Sequence, residues 1–237
     1  MGVIINFKGP AWFYGMDAVI QLFGAIVALT LAFYGYKAYK LSKDRKYLLF
    51  TVAFLLLSLD LIIYALLIPA SFAYYSFYSD VYVGVLLQFA RLMNFVFITA
   101  TLLAYTLLIA VYSKIDRVDT IALVSVLTII ISGFIYRYQS FTGFNLVSVL
   151  LLTFIMAYTC HNCVTRKTRS STSVFAAFIL LALGHLFFVG AGVSSIAFLL
   201  GHVLQLAGYL SLLVGLLYMI GKKKKWKEKH NDEIALK

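Results

Sequence analysis

Charge is the scarcest property of this sequence. Asp, Glu, Lys and Arg make up 12% of its 237 residues, while 63% are apolar. A soluble domain of this length could not clothe so much apolar surface with so few charges, which excludes an ordinary water-soluble fold. Cysteine is nearly missing as well. The two present, Cys160 and Cys163, are close neighbours in one segment, so no disulfide framework of the secreted kind can be drawn. The opening MGVIINFKGP lacks a basic n-region and a small-residue cleavage site, and it reads as retained rather than as a signal peptide. Enzyme signatures are missing too. There is no H-E-x-x-H, no G-x-S-x-G and no Walker A loop for phosphates. The expectation is a non-enzymatic protein. No internal repeat, heptad register or low-complexity segment stands out. The lack of repeats, and of Gly/Pro-broken helices in matching halves, weighs against a transporter.

What the sequence does have is apolar length. Seven apolar runs predict helices over 11–36, 47–69, 82–112, 120–136, 144–164, 173–190 and 195–220. Apart from the long third run, each is near the roughly 20 residues that cross a hydrocarbon core. The fold class is therefore all-α: a polytopic membrane protein with seven transmembrane helices. One transmembrane domain covers 1–221 and a basic tail covers 222–237. The expected location is the cell membrane, as a multi-pass protein, with the lipid bilayer as its first partner.

The formal net charge is +11, and its distribution sets the orientation. The first loop holds Lys37, Lys40, Lys43, Arg45 and Lys46. The third holds Lys114 and Arg117 against Asp116 and Asp119, and the fifth holds Arg166, Lys167 and Arg169. The tail carries Lys222 to Lys225, then Lys227 and Lys229. The second loop, SFAYYSFYSD, and the sixth have no Lys or Arg, and the fourth has only Arg137. Basic loops stay on the cytoplasmic side, so the odd loops and the tail are expected there and the N-terminus outside. Clusters placed beside apolar runs are topology signals, not a nucleic-acid footprint. The tail also suits anionic lipid headgroups, although a stop-transfer role alone accounts for it. The Tyr and Phe of the second loop and of 137–144 suit an outer aromatic belt.

Ionisable residues inside apolar spans are the candidate sites, because they are costly there unless paired or hydrated. Asp60 falls in the second run and Arg91 in the third. They lie equally far from the middle of the 71–80 stretch, so an antiparallel pair turning there would put both about 15 Å below its outer end. This predicts an Asp60–Arg91 ion pair, with Gln88 and Asn94 one turn either side of Arg91 to satisfy its other donors. His185 and His202 mirror each other about the turn GAGVSS, and Gln205 and Tyr209 follow His202 on one helical face. They read as neutral histidines joined across the helix interface, as a proton- or ligand-sensing pair, or as a haem or metal site. Haem between them would need splayed helices, since directly packed helices have axes only about 8–10 Å apart. Cys160, His161 and Cys163 form a lone C-x-x-C with an interposed His. That set is too small for a four-ligand metal site within one chain, and a reduced helix end is the plainer reading. The glycines Gly184, Gly190, Gly192, Gly201 and Gly208 are expected to let the last two helices pack closely.

The last two runs read GHLFFVGAGVSSIAFLLGHVLQLAGYLSLLVGLLYMI. A His in the sixth helix, GHVLQLAGYLSLL opening the seventh and a basic exit resemble the end of the seven-helix N-terminal sensor regions of prokaryotic, especially archaeal, histidine kinases. The likeness is close over about 50 residues and topological over the rest. It implies a membrane sensor module, with His185, His202 and Gln205 at the matching positions. No kinase or cyclase domain follows within the 237 residues, so a separate membrane or cytoplasmic partner is expected to carry the output. Seven helices also resemble microbial rhodopsins, but 195–220 has no lysine to hold retinal. The expected function is a sensor or accessory subunit relaying a ligand, proton or partner signal to the cytoplasmic face, with no cofactor. The rivals are a redox protein binding haem b or quinone through His185 and His202, and a small-solute transporter.

Overall fold

The structure is a computed structural model that describes residues 13, 15–77, 83–115, 117–138 and 140–235. Side-chain surroundings are described for these apart from 67–77, 83–87, 90, 166 and 219–235. Seven helices account for nearly all of it: α1 Met16–Ser42, α2 Arg45–Phe77, α3 Val83–Ser113, α4 Val118–Arg137, α5 Phe141–Arg166, α6 Arg169–Gly190 and α7 Ser195–Ala235. All seven are long and apolar enough to cross a membrane, and no strand occurs among the described residues.

Most helices overrun their apolar runs. α1 starts later than expected and continues past Tyr36 to Ser42, and α7 continues through the lysine cluster. Hydropathy marks only the apolar part of a run, whereas lysine is a good helix former and does not end a helix. At the end of α1 the lysines stay helical and turn back over aromatic rings one turn earlier. Lys37 Nζ lies 4.5 Å from the Phe33 ring and Lys40 Nζ 5.2 Å from the Tyr36 ring.

Three of the odd helices end alike. Lys43, Lys114 and Lys167 follow α1, α3 and α5 in left-handed conformations, with φ of 56°, 57° and 48°. Glycine is the usual residue at such a stop, so lysine accepts a steric cost in exchange for a charge at that end. Asp44 then opens α2 by accepting a hydrogen bond from the Lys46 amide at 3.1 Å, and pairs with the Lys46 ammonium at 3.0 Å. Because Lys46 stabilises the charged form, it holds the Asp44 carboxyl below its ordinary 3.8. Ser140 and Thr168 cap α5 and α6 by accepting from the amides of Gly143 and Ser171.

Packing follows a ring. α1 touches α2, α2 touches α3, α3 touches α5, and α5, α6 and α7 continue round to α1. α4 stands outside this ring against α3, with a lesser contact to α5. Its inward face carries the small polar Thr128 and Ser132 as well as the apolar Ile135, and Thr128 Oγ1 lies 3.0 Å from Thr106 Oγ1 of α3. Its outward face is apolar, with Leu123, Val126, Ile130 and Phe134 exposed. Similar apolar residues stand exposed on the other helices, such as Ile26, Phe33, Leu59, Leu150 and Leu217.

The interior divides along the helix axes. Towards the lysine-bearing end it is largely apolar: Leu31, Phe54, Leu108, Ile155, Phe178 and Leu212 belong to one apolar cluster drawn from all six ring helices. Towards the other end, buried polar side chains such as Asp60, Asn145, His185 and His202 join aromatic ones such as Phe144 and Phe188. Close approach between helices frames that half. Gly184 of α6 lies so near α7 that a Cβ would come within 3.1 Å of the Gly201 carbonyl oxygen. Of the other expected contact glycines, Gly201 and Gly208 are also tight, Gly190 makes only ordinary contact, and Gly192 faces open space.

Candidate functional site

The polar half encloses a chamber to which all six ring helices contribute and α4 does not. Gln21 comes from α1, Asp60 and Tyr64 from α2, Thr101 and Tyr105 from α3, Asn145 from α5, His185 from α6, and His202, Gln205 and Tyr209 from α7. Phe97, Phe144 and Phe188 complete the wall. Of the polar set, all but Tyr64 are buried, and Asp60 and His202 are 2% and 1% exposed. The space is small: about 40 Å³ is open to the centres of water molecules. At about 10–15 Å³ each, that is room for about three waters.

One wall is a closed hydrogen-bond chain. The Asn145 amide donates to the Phe141 carbonyl at 2.8 Å, which turns its oxygen towards His185. His185 Nδ1 lies 2.8 Å from that oxygen and must carry the ring proton, since the amide oxygen can only accept. Nε2 is then an acceptor and takes the Tyr105 hydroxyl at 3.1 Å. Both nitrogens of His185 are used, and α3, α5 and α6 are tied together.

The opposite wall is left open. Gln21 Nε2 donates to Gln205 Oε1 at 3.1 Å and lies 3.3 Å from His202 Nδ1. With an amide as its neighbour, Nδ1 accepts, so the His202 proton sits on Nε2. That Nε2 has no partner, nor do Gln21 Oε1 and Asp60 Oδ1. Buried polar atoms are normally satisfied, so three open ones around one cavity are unusual.

The predicted pairings need correction. Asp60 does not meet Arg91. Its Oδ2 lies 2.6 Å from Thr101 Oγ1, while Arg91, Gln88 and Asn94 are exposed. Among the described residues the only ion pair is Lys46–Asp44. α2 runs to Phe77 and α3 begins at Val83, so the midpoint between the two helix ends is position 80 rather than the middle of 71–80. A residue at Asp60's depth on α3 is therefore near 100, which is where Thr101 stands. His185 and His202 do share a depth, but they do not bond to each other. Gly184 occupies the contact with α7, which turns His185 towards α3 and α5 and His202 towards α1. The Phe188 ring stands beside both, 6.2 Å from His185 and 4.9 Å from His202 by ring centres. Gln205 and Tyr209 do line the chamber with His202.

A bis-histidine haem does not fit this arrangement. His185 has no free nitrogen, Phe188 stands beside both rings, and the space holds a few waters rather than a macrocycle. Cys160, His161 and Cys163 lie far along α5, on the lysine-bearing end. Both cysteines are free and half-buried, His161 is exposed, and Cys163 Sγ lies 3.5 Å from Thr172 Oγ1. No group of three or more metal-ligating side chains occurs among the described residues.

Sequence reasoning missed Gln21, Tyr64, Thr101, Tyr105 and Asn145, because neutral polar residues carry no charge signal within an apolar run. It also missed Asp17, fully buried on α1 one turn before Gln21, with Oδ2 unpartnered. The Asp17–Gln21 spacing on one helical face was the signal available. Compared with protein-family models, with curated proteins and with solved structures, the chain finds no match.

Proposed function

We propose that this chain is a multi-pass protein of the cell membrane that senses a small stimulus in its polar chamber and relays it to the cytoplasmic face, as a sensor or accessory subunit rather than an enzyme. Bilayer lipid would cover the exposed apolar faces, and the lysine-bearing end, with the basic tail, would face the cytoplasm. The carrying observation is the set of open polar atoms on Asp60, Gln21 and His202, which converge from α2, α1 and α7 on one cavity. A stimulus that satisfies them differently in two packings shifts the balance between those packings. α7 supports the relay, since one unbroken helix runs from His202 to Ala235. The apolar cluster between the chamber and the lysine-bearing end favours sensing over transport.

The native cysteines supply the test. A membrane-impermeant maleimide should reach Cys163 from the cytoplasmic side only. With pH or sodium changed on the outer side alone, the rate of that reaction should change in the wild-type protein. It should stay constant in Gln21→Leu/His202→Phe. Labelling from outside would overturn the topology, and a wild-type rate indifferent to both stimuli would overturn the relay.

A further inference from the structure

Thr101 has more oxygen neighbours than it has hydrogens to give. Its Oγ1 lies 2.6 Å from Asp60 Oδ2 and 3.0 Å from the Phe97 carbonyl oxygen. A hydroxyl carries one hydrogen, an ionised carboxylate only accepts, and so does a carbonyl. If Asp60 were charged, the two contacts would have to share one hydrogen, or one of them would go without. Placing a proton on Asp60 Oδ2 gives each contact a hydrogen of its own. The acid donates to Thr101 Oγ1, and Thr101 donates back along α3 to Phe97.

The surroundings agree. The ionisable groups facing the chamber are Tyr64 on α2, Tyr105 on α3, His185 on α6, and His202 and Tyr209 on α7, with the buried Asp17 on α1 one turn from the chamber's Gln21. No Lys or Arg lines the cavity. His185 Nε2 and His202 Nδ1 both accept in the contacts described above, so neither ring carries a second proton and neither offers a positive charge. A buried carboxylate without a counter-charge is strongly unfavourable, and the neutral acid is the form such a site stabilises.

We propose that Asp60, held by Thr101, is a proton-binding site of the chamber, with the proton itself as ligand. Loading forms the Oδ2–H bond. Release breaks it, leaves the electron pair on the carboxylate and passes the proton through the cavity to solvent. The charge left behind has no cation to meet it, and Thr101 must turn its hydrogen from Phe97 to the carboxylate, so release changes the contact between α2 and α3. The proposal rests on the chamber being the sensing site and names what it senses.

Infrared spectra of the full-length protein in lipid test it. At neutral pH the wild type should show the C=O stretch of a protonated carboxyl that moves to lower wavenumber in D2O. The band should vanish in Asp60→Asn, a near-isosteric stand-in for the neutral acid. It should rise in wavenumber in Thr101→Val, which removes the acceptor, and hold its place in Thr101→Ser. Asp17→Asn should leave it intact. A band lost with Asp17 instead, or a carboxylate band lost in Asp60→Asn, would overturn the proposal. So would a protonated band that disappears when sodium replaces potassium, since the site would then bind a metal cation. These spectra are recorded at rest and do not depend on the Cys163 response. Conversely, a Cys163 response to outer pH that persists in Asp60→Asn would leave the sensor standing and remove Asp60 from it.

Discussion

His185 is the knot of the closed wall, and replacing it with Phe tests the wall directly. The substitution keeps a ring of similar size among Tyr105, Phe144 and Phe188, so the packing loss is small. What goes is two hydrogen bonds, one to the Tyr105 hydroxyl and one to Asn145 Oδ1. Within membrane bundles an interhelical hydrogen bond contributes about 0.6 kcal/mol and at most about 1.7. Two of them put the expected loss at about 1–3 kcal/mol. Equilibrium unfolding in mixed micelles of increasing SDS, followed by circular dichroism, resolves a change of that size. Tyr105→Phe alone should lose roughly one bond's worth, about 0.6–1.7 kcal/mol. The double variant is the decisive one. With His185 already gone, the Tyr105 hydroxyl has nothing to donate to, so removing it should cost nothing and should recover part of the loss. If instead the two losses simply add, Tyr105 and His185 do not interact and the chain of hydrogen bonds is wrongly drawn.

Two further predictions rest on other parts of the fold. Gly184→Ala would push a methyl to 3.1 Å from both the Gly201 carbonyl oxygen and the Gln205 side chain, and backbone cannot yield as a side chain can. Overpacking of this kind costs about 1–3 kcal/mol, whereas Gly192→Ala, facing open space, should leave the same unfolding curve unmoved; equal effects at the two sites would contradict the α6–α7 contact. At the other end of the bundle, the carboxyl carbon of Asp44 should titrate below 3.8 by NMR, because Lys46 favours the charged form. That pairing is present above the ordinary carboxyl range and is lost as pH falls through the lowered value. Lys46→Ala should bring the midpoint back towards 3.8, and a midpoint indifferent to Lys46 would rule the contact out.

Much of this protein follows from local chemistry. Scarce charge and seven long apolar runs lead directly to seven helices, because an apolar chain segment can satisfy its own backbone only by coiling on itself. Where charge stands along the chain is likewise a local fact, and the lysines at 43, 114 and 167 each mark the end of an odd helix. The ends themselves were harder to place, since hydropathy falls where the lysines begin while the helix does not stop there.

Direction around a helix is a different matter. Depth follows from counting residues, and His185 and His202 do share a depth. Which way each faces depends on the neighbours, and only packing could set Gly184 against α7 and so turn the two rings apart. The same holds for Asp60. Its partner is not the one opposite charge in reach of a sequence argument but an uncharged Thr101, brought level by the length of α2. The chamber was illegible for a related reason. Its members come from six helices spread from Gln21 to Tyr209, most of them neutral residues whose only signal is their meeting. Polarity in an apolar run gains meaning when several such residues face one another, and that convergence is a property of the tertiary structure alone.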